Sequence, residues 1–152
     1  MSSATVYHLS LNELGKLKDL LPEMDTPLAL KTHFGEDKNR TSLSASLVEQ
    51  ISDIVDNPTM IETSVLYRGR RSRASTPKEL ALENGFDFAP LDFLDGEEGD
   101  DSMEVNINGD HFHTCYLGKG LKNYNSVLVV SHFKGHVLSG FGGALKNLAM
   151  GL

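Results

Sequence analysis

The stretch LVVSHFKGH, residues 128–136, leads an aliphatic strand directly into two histidines and a lysine. A similar pattern, LALKTH, occurs at residues 28–33, and a phenylalanine follows the strand-end histidine in both places. Near-continuous aliphatic runs of this length are typical of strands that are buried on both faces of a parallel sheet. The two stretches therefore predict parallel strands that each end in a histidine.

Helix signals occur between the strand candidates. A capping box precedes the first predicted helix, aliphatic residues recur at helical spacing through the second, and an N-cap threonine followed by proline starts the third. The three predicted helices begin at Ser10, Leu43 and Thr76, and they end before Pro22, at Val55 and near Gly85.

Strands that alternate with helices predict a single α/β domain over residues 1–152, with a mostly parallel sheet flanked by helices. Further aliphatic runs at 5–9 and 59–64 supply two more predicted strands. The segment 103–117 alternates around Asn108-Gly109, which predicts an antiparallel hairpin insertion. The acidic stretch at 87–101 is interpreted as a solvated loop.

Composition excludes several classes of protein. The chain has 152 residues, 39% of them apolar, which is enough for a core, and a net charge of −7, which disfavours a nucleic-acid partner. The sequence shows no signal peptide and no apolar run long enough to span a membrane, so we expect a cytoplasmic protein with no membrane partner. Cys115 is the single cysteine, and one thiol cannot hold an iron–sulfur cluster on this chain alone.

Polar side chains follow each predicted parallel strand. Because ligands bind outside the carboxyl ends of such strands, we expect these groups to converge at one edge of the sheet. The alternative for a strand-end histidine is a hydrogen bond to the backbone. The candidate ligands of a divalent metal are His33, His132 and His136, and the candidate catalytic groups are Lys134 and Glu36.

A small anionic ligand is the other candidate for this edge. The glycine-rich turn at 140–143 could present backbone N–H groups to an anion, or it could simply permit tight packing. The arginines at 68–73 could clamp a phosphate or carboxylate, or form a solvated basic loop. The candidate ligand-binding residues are Tyr67, Arg70, Arg71, Gly142, Gly143, Lys146 and Asn147.

A weaker metal pattern occurs in the predicted hairpin. His111, His113 and Cys115 alternate at a period of two, a spacing that suits zinc if all three lie on one face of a strand. The outer face of a hairpin also collects such residues by chance.

Four blocks of the sequence are together similar to a known family. They are KTHFGE (31–36), ETSVLYRGRRSRA (62–74), ENGF (83–86) and VVSHFKGHVLSGFGGALKNLAMG (129–151). In this order they resemble the family catalogued as domain of unknown function 362, whose members are often labelled uncharacterised iron–sulfur-centre proteins. Relatives typically continue into a ferredoxin-like region, so the resemblance implies a short member or an N-terminal fragment whose relatives work beside an iron–sulfur redox module.

The resemblance also implies a shared set of residues. The sequence departs from the family pattern at two positions: Glu62 stands where an aspartate is expected, and Glu79 stands where a histidine is expected. The positions that match are His33, Glu36, Tyr67, Arg71, His132, Lys134, His136, Lys146 and Asn147.

Three functions stay open at this point. The chain is a domain that binds a metal or a small anionic ligand, a metal-assisted proton-transfer enzyme acting on a small organic acid, or a homo-oligomeric interaction module. The third function follows if the C-terminal half of the relatives covers apolar surface that is exposed in this chain. Exposed apolar surface of this kind commonly forms contacts with other protein chains.

Overall fold

The computed structural model describes residues 4–34, 42–65 and 75–152. Short helices alternate with short strands along these ranges, as the sequence pattern predicts. In chain order the elements are a 3-10 helix (Leu11–Lys16), α1 (Leu17–Leu20), β1 (Leu28–Lys31), α2 (Ala45–Ser52), β2 (Thr59–Glu62), α3 (Ser75–Glu83), β3 (Leu91–Phe93), β4 (Ser102–Asn106), β5 (Thr114–Gly118), a second 3-10 helix (Lys119–Asn123), β6 (Ser126–Val129), β7 (Gly135–His136), β8 (Gly140–Phe141) and α4 (Gly143–Gly151).

The main sheet has four strands in the order β3-β2-β1-β6, and every neighbouring pair is parallel. Ala29 of β1 pairs with Thr59 of β2 on one side and with Val127 of β6 on the other. The carboxyl ends of β2, β1 and β6 therefore lie side by side. The predicted α/β fold, with its mostly parallel sheet, flanking helices and antiparallel insertion, is confirmed.

The central strand β1 is buried on both faces, which explains its run of apolar residues. Leu30 packs into a cluster with Phe34, Val48 and other residues of α2, α3 and β2, whereas the adjacent Ala29 faces the opposite cluster around Ile61. Because side chains alternate across a strand, a single short stretch supplies both halves of the core.

The helices begin and end where local chemistry dictates. The Ser44 side chain accepts a hydrogen bond from the Leu47 N–H and caps α2. After α3, Gly85 adopts a φ of +85°, a left-handed conformation that glycine takes without strain. α3 begins at Ser75, so Thr76 lies inside the helix and not at the predicted N-cap.

One strand prediction and one loop prediction were wrong. Residues 5–9 form no strand, and all but the half-buried Leu9 are exposed, because an aliphatic run becomes a strand only where a neighbouring strand can pair with it. The acidic stretch at 87–101 was predicted to be a solvated loop, but it contains β3, which pairs with β2. Leu94 just after β3 is only 2% exposed, so the apolar residues of this stretch pack inward despite its carboxylates.

The predicted hairpin exists, but its turn is longer than the Asn-Gly signal predicts. β4 and β5 pair antiparallel from Ser102 to Asn106, and residues 107–113 form the connection. Asn108 does adopt a positive φ, of 47°. His111 and His113 lie in this connection and not in β5 with Cys115, so the predicted alternation of the three along one strand was wrong.

A second, smaller hairpin precedes the last helix. β7 and β8 pair antiparallel, and Val137 and Leu138 between them are 98% and 92% exposed. Self-association through such apolar surface stays a prediction. In the described ranges, no helix is both long enough and apolar enough to cross a membrane.

Candidate functional site

A cleft of about 520 Å³ opens at the carboxyl ends of β1, β2 and β6, and residues of α4 form one of its walls. Eight of the predicted site residues line it, so the structure brings together the ends of the strands and the glycine-rich turn. They are His33, His132, Lys134, His136, Gly142, Gly143, Lys146 and Asn147. The other four, Glu36, Tyr67, Arg70 and Arg71, lie outside the described residues.

An ion pair lies at the base of the cleft. Lys31 ends β1, Glu62 ends the neighbouring β2, and Lys31 Nζ donates to Glu62 Oε1 over 2.7 Å. Lys31 is 0% and Glu62 2% exposed. Lys31 Nζ also donates to Asn147 Oδ1 and to the Thr32 carbonyl, at 2.9 and 3.3 Å. Burial of a lysine requires such partners, because an unpaired charge in the interior is very costly.

The same glutamate reaches a histidine of the cleft. Glu62 Oε2 lies 3.5 Å from His33 Nδ1, while its Oε1 accepts from Lys31 and from the Thr63 N–H. A carboxylate at this distance favours a proton on Nδ1, which leaves the lone pair of a neutral His33 ring on Nε2. His33 is partly exposed where it lines the cleft, so it can act as a proton acceptor there.

Asn147 joins α4 to two strands of the sheet. Its Oδ1 accepts from Lys31 Nζ at the end of β1, and its Nδ2 donates to Ser131 Oγ over 2.8 Å. Ser131 follows β6 and also lines the cleft. Gly151, the last residue of α4, lies directly against the ion pair, since a Cβ there would lie 2.5 Å from Lys31 Nζ.

The small hairpin fixes the orientation of His136. The Ser139 N–H donates to His136 Nδ1 over 3.2 Å, so a neutral ring carries its proton on Nε2. The Gly142 N–H donates to the Lys134 carbonyl, and the rings of Phe133 and Phe141 contact each other with centroids 5.2 Å apart. These contacts hold Lys134 and the glycine-rich turn against each other.

A second carboxylate lies near the end of β2. Both oxygens of Asp95 accept from the N–H of Ser64, a residue of the cleft lining, at 3.1 and 2.8 Å. Partial burial raises the pKa of Asp95 above its ordinary value, and the Glu62 charge adds to that increase, although the hydrogen bonds from Ser64 oppose it.

The three candidate metal ligands share the cleft, but they do not form a cluster. Across residues 4–34, 42–65 and 75–152, no three histidine, cysteine, aspartate or glutamate side chains are placed to hold a metal ion together. His136 is also a poor metal ligand. When its Nδ1 accepts a hydrogen bond from Ser139, Nε2 carries the proton and has no lone pair for a metal. A metal held by His33, His132 and His136 stays a prediction.

Sequence reasoning missed Lys31 and Ser131. It expected Glu62 among the polar side chains that converge at the edge of the sheet and noted it as a departure from the family pattern, but it did not name Glu62 as a site residue. One signal could have found the ion pair: LALK and TMIE each place one charged residue at the end of a strand that is otherwise aliphatic or uncharged. Because parallel strands at the centre of a sheet are buried on both faces, opposite charges at adjacent ends must pair.

A comparison with protein families identifies one match. A family model described as Domain of unknown function (DUF362) covers residues 28–152, which include the main sheet, the cleft and α4. No curated protein and no solved structure matches the chain.

Proposed function

The protein belongs to the DUF362 family, and on this premise we propose that its cleft binds a small anionic ligand with carboxylate or phosphate oxygens. The observation that carries the proposal is the charge of the cleft lining. The whole chain has a net charge of −7, yet among the described residues the lining has two lysines and three histidines against one carboxylate side chain, that of Glu62. Lys31 neutralises that carboxylate from below.

The shape and place of the cleft agree with this proposal. Its volume of about 520 Å³ is ordinary for a small-molecule site, and it occupies the edge of a parallel sheet where ligands commonly bind. Lys134 and Lys146 supply charged donors, and the Nε2–H of a neutral His136 is a further donor in the lining. Donors of this kind suit an anion better than a cation.

We expect inorganic phosphate or malonate to bind the purified protein in isothermal titration calorimetry. Lys134→Ala and Lys146→Ala should each weaken binding at least about tenfold, because a hydrogen bond to a charged group contributes roughly 1.5–3 kcal/mol. Affinity should also fall as sodium chloride is added, since salt screens exposed charges.

Lys122→Ala is the matched control, because it removes the same charge from an exposed position outside the cleft lining. It should bind both anions like the wild type. Equal losses in all three lysine variants would show that net charge and not the cleft governs binding, and this result would contradict the proposal.

Proton transfer is a second candidate function, and the contact between His33 and Glu62 favours it. His33 Nε2 would take a proton from the C–H next to a ligand carboxylate and return it, while Glu62 stabilises the imidazolium through Nδ1. Wild-type protein in D₂O would then exchange the C2 proton of a 2-hydroxy acid for deuterium. Proton NMR would show this exchange as a loss of the C2–H signal.

His33→Asn should lower that exchange about a hundredfold or more. His113→Asn serves as the control, because His113 lies in the β4–β5 connection and not in the cleft lining. Exchange that continues unchanged in His33→Asn would eliminate this candidate. A link between the ligand and an iron–sulfur redox module stays a prediction from the family resemblance.

A further inference from the structure

We infer that Ser131 is a ligand-binding residue of the cleft, whose hydroxyl a directed chain of hydrogen bonds holds as a donor toward an anionic oxygen. The chain runs from Lys31 through Asn147 to Ser131. The inference rests on the proposed function and deepens it, since it names a donor atom and two positioning residues.

The first step fixes the orientation of the Asn147 amide. An ammonium group can only donate, so the atom of Asn147 that lies 2.9 Å from Lys31 Nζ must be the carbonyl oxygen, Oδ1. The Asn147 Nδ2 group also lies 3.5 Å from the carbonyl oxygens of Lys31 and Val130, which can only accept. The contact of Oδ1 with the ammonium group and the two contacts of Nδ2 with carbonyl oxygens therefore assign the same orientation.

The second step transfers this orientation to Ser131. Because Nδ2 can only donate, Ser131 Oγ must be the acceptor of their 2.8 Å hydrogen bond. Its own O–H is then left to donate elsewhere. Among the hydrogen bonds of the described ranges, none uses the Ser131 hydroxyl as the donor. Ser131 lines the cleft, so a ligand oxygen there can accept this hydrogen bond.

The chain is built to stay in place. Lys31 is fully buried and is held by Glu62 as well as by Asn147. The hydrogen-bond chain therefore always begins with a donor, and its direction does not reverse. Asn147 is a positioning residue in this arrangement, because it acts on the ligand only through Ser131. A donor that is oriented before the ligand arrives saves the free energy of ordering it on binding.

The first test measures binding of inorganic phosphate and of malonate to Ser131→Ala and Ser131→Thr. Ser131→Ala should weaken binding of the preferred anion about tenfold, the loss expected for one hydrogen bond to a charged group. Ser131→Thr keeps the hydroxyl and should bind close to wild type. The preferred anion shows whether the natural ligand presents a phosphate or a carboxylate.

The second test reverses the polarity of the chain with Asn147→Asp. The new carboxylate accepts from Lys31 with one oxygen and from the Ser131 hydroxyl with the other, so the O–H turns away from the ligand. The substitution also adds a negative charge, which is measured separately by making Asn147→Asp in the Ser131→Ala background. We expect Asn147→Asp to weaken binding clearly more in the wild-type background than in that of Ser131→Ala.

The outcomes separate this inference from the proposed function. If Lys134→Ala weakens binding and Ser131→Ala does not, the inference about Ser131 is overturned but the proposal of an anion site stands. Equal effects of Asn147→Asp in the two backgrounds would also overturn it. A wild-type protein that binds neither anion would overturn both. Thermal unfolding of each variant shows whether a lost affinity follows from lost folding.

Discussion

Lys31→Met is expected to destabilise the protein by about 3–5 kcal/mol, because removal of one member of a buried ion pair takes a compensating charge away from the other. In this variant the Glu62 carboxylate keeps its buried position but loses the ammonium group 2.7 Å away. Asn147 Oδ1 loses its donor at the same time. Urea unfolding followed by circular dichroism measures the change in the free energy of unfolding.

The double variant Lys31→Met/Glu62→Leu distinguishes the cost of breaking the ion pair from the cost of changing the packing of the two side chains. With both charges removed, neither member of the buried pair is left without the other. The double variant should therefore be more stable than Lys31→Met, although Asn147 Oδ1 and the Thr63 N–H each lose a hydrogen-bond partner. Lys119→Met is the matched control, because the ion pair between Lys119 and Asp101 is about half exposed, and its loss should change stability by no more than about 1 kcal/mol. A Lys31→Met variant as stable as Lys119→Met would show that the buried pair contributes little.

The buried pair also explains why part of the site was predictable and part was not. The rule that ligands gather at the carboxyl ends of parallel strands was enough to place His33, His132 and Lys134 together, because LALK and SVLV are recognisable as strands without any knowledge of their neighbours. Lys31 was not predicted as part of the site, because a lysine is usually expected to be exposed. Its burial follows only from the register that places Glu62 at the end of the adjacent strand.

Tertiary context decided the elements that were predicted wrongly. β3 is only three residues long and lies within a highly acidic stretch, so its local signal is that of a loop. It becomes a strand because its backbone pairs with β2. The opposite holds for residues 5–9, whose aliphatic residues have no strand beside them. Short strands are specified by their partners more than by their own residues.

Gly151→Ala is expected to destabilise the protein by about 1–3 kcal/mol and to weaken anion binding. A Cβ at this position would lie 2.5 Å from Lys31 Nζ and 2.6 Å from Glu62 Oε1, both far inside contact distance. These two groups cannot easily move away, because Asn147 and the Thr63 N–H hold them in place. The end of α4 must therefore shift outward, and α4 carries Lys146 and Asn147 into the cleft.

Gly15→Ala is the control for the glycine substitution itself. Gly15 lies in the first 3-10 helix, and a Cβ there would meet nothing within 4 Å. Its replacement should leave anion binding unchanged and stability equal or slightly higher, because alanine lowers the entropy of the unfolded chain. Calorimetric titration and urea unfolding of both variants measure the two effects. If Gly151→Ala resembles Gly15→Ala in both measurements, the close approach of α4 to the ion pair does not shape the cleft.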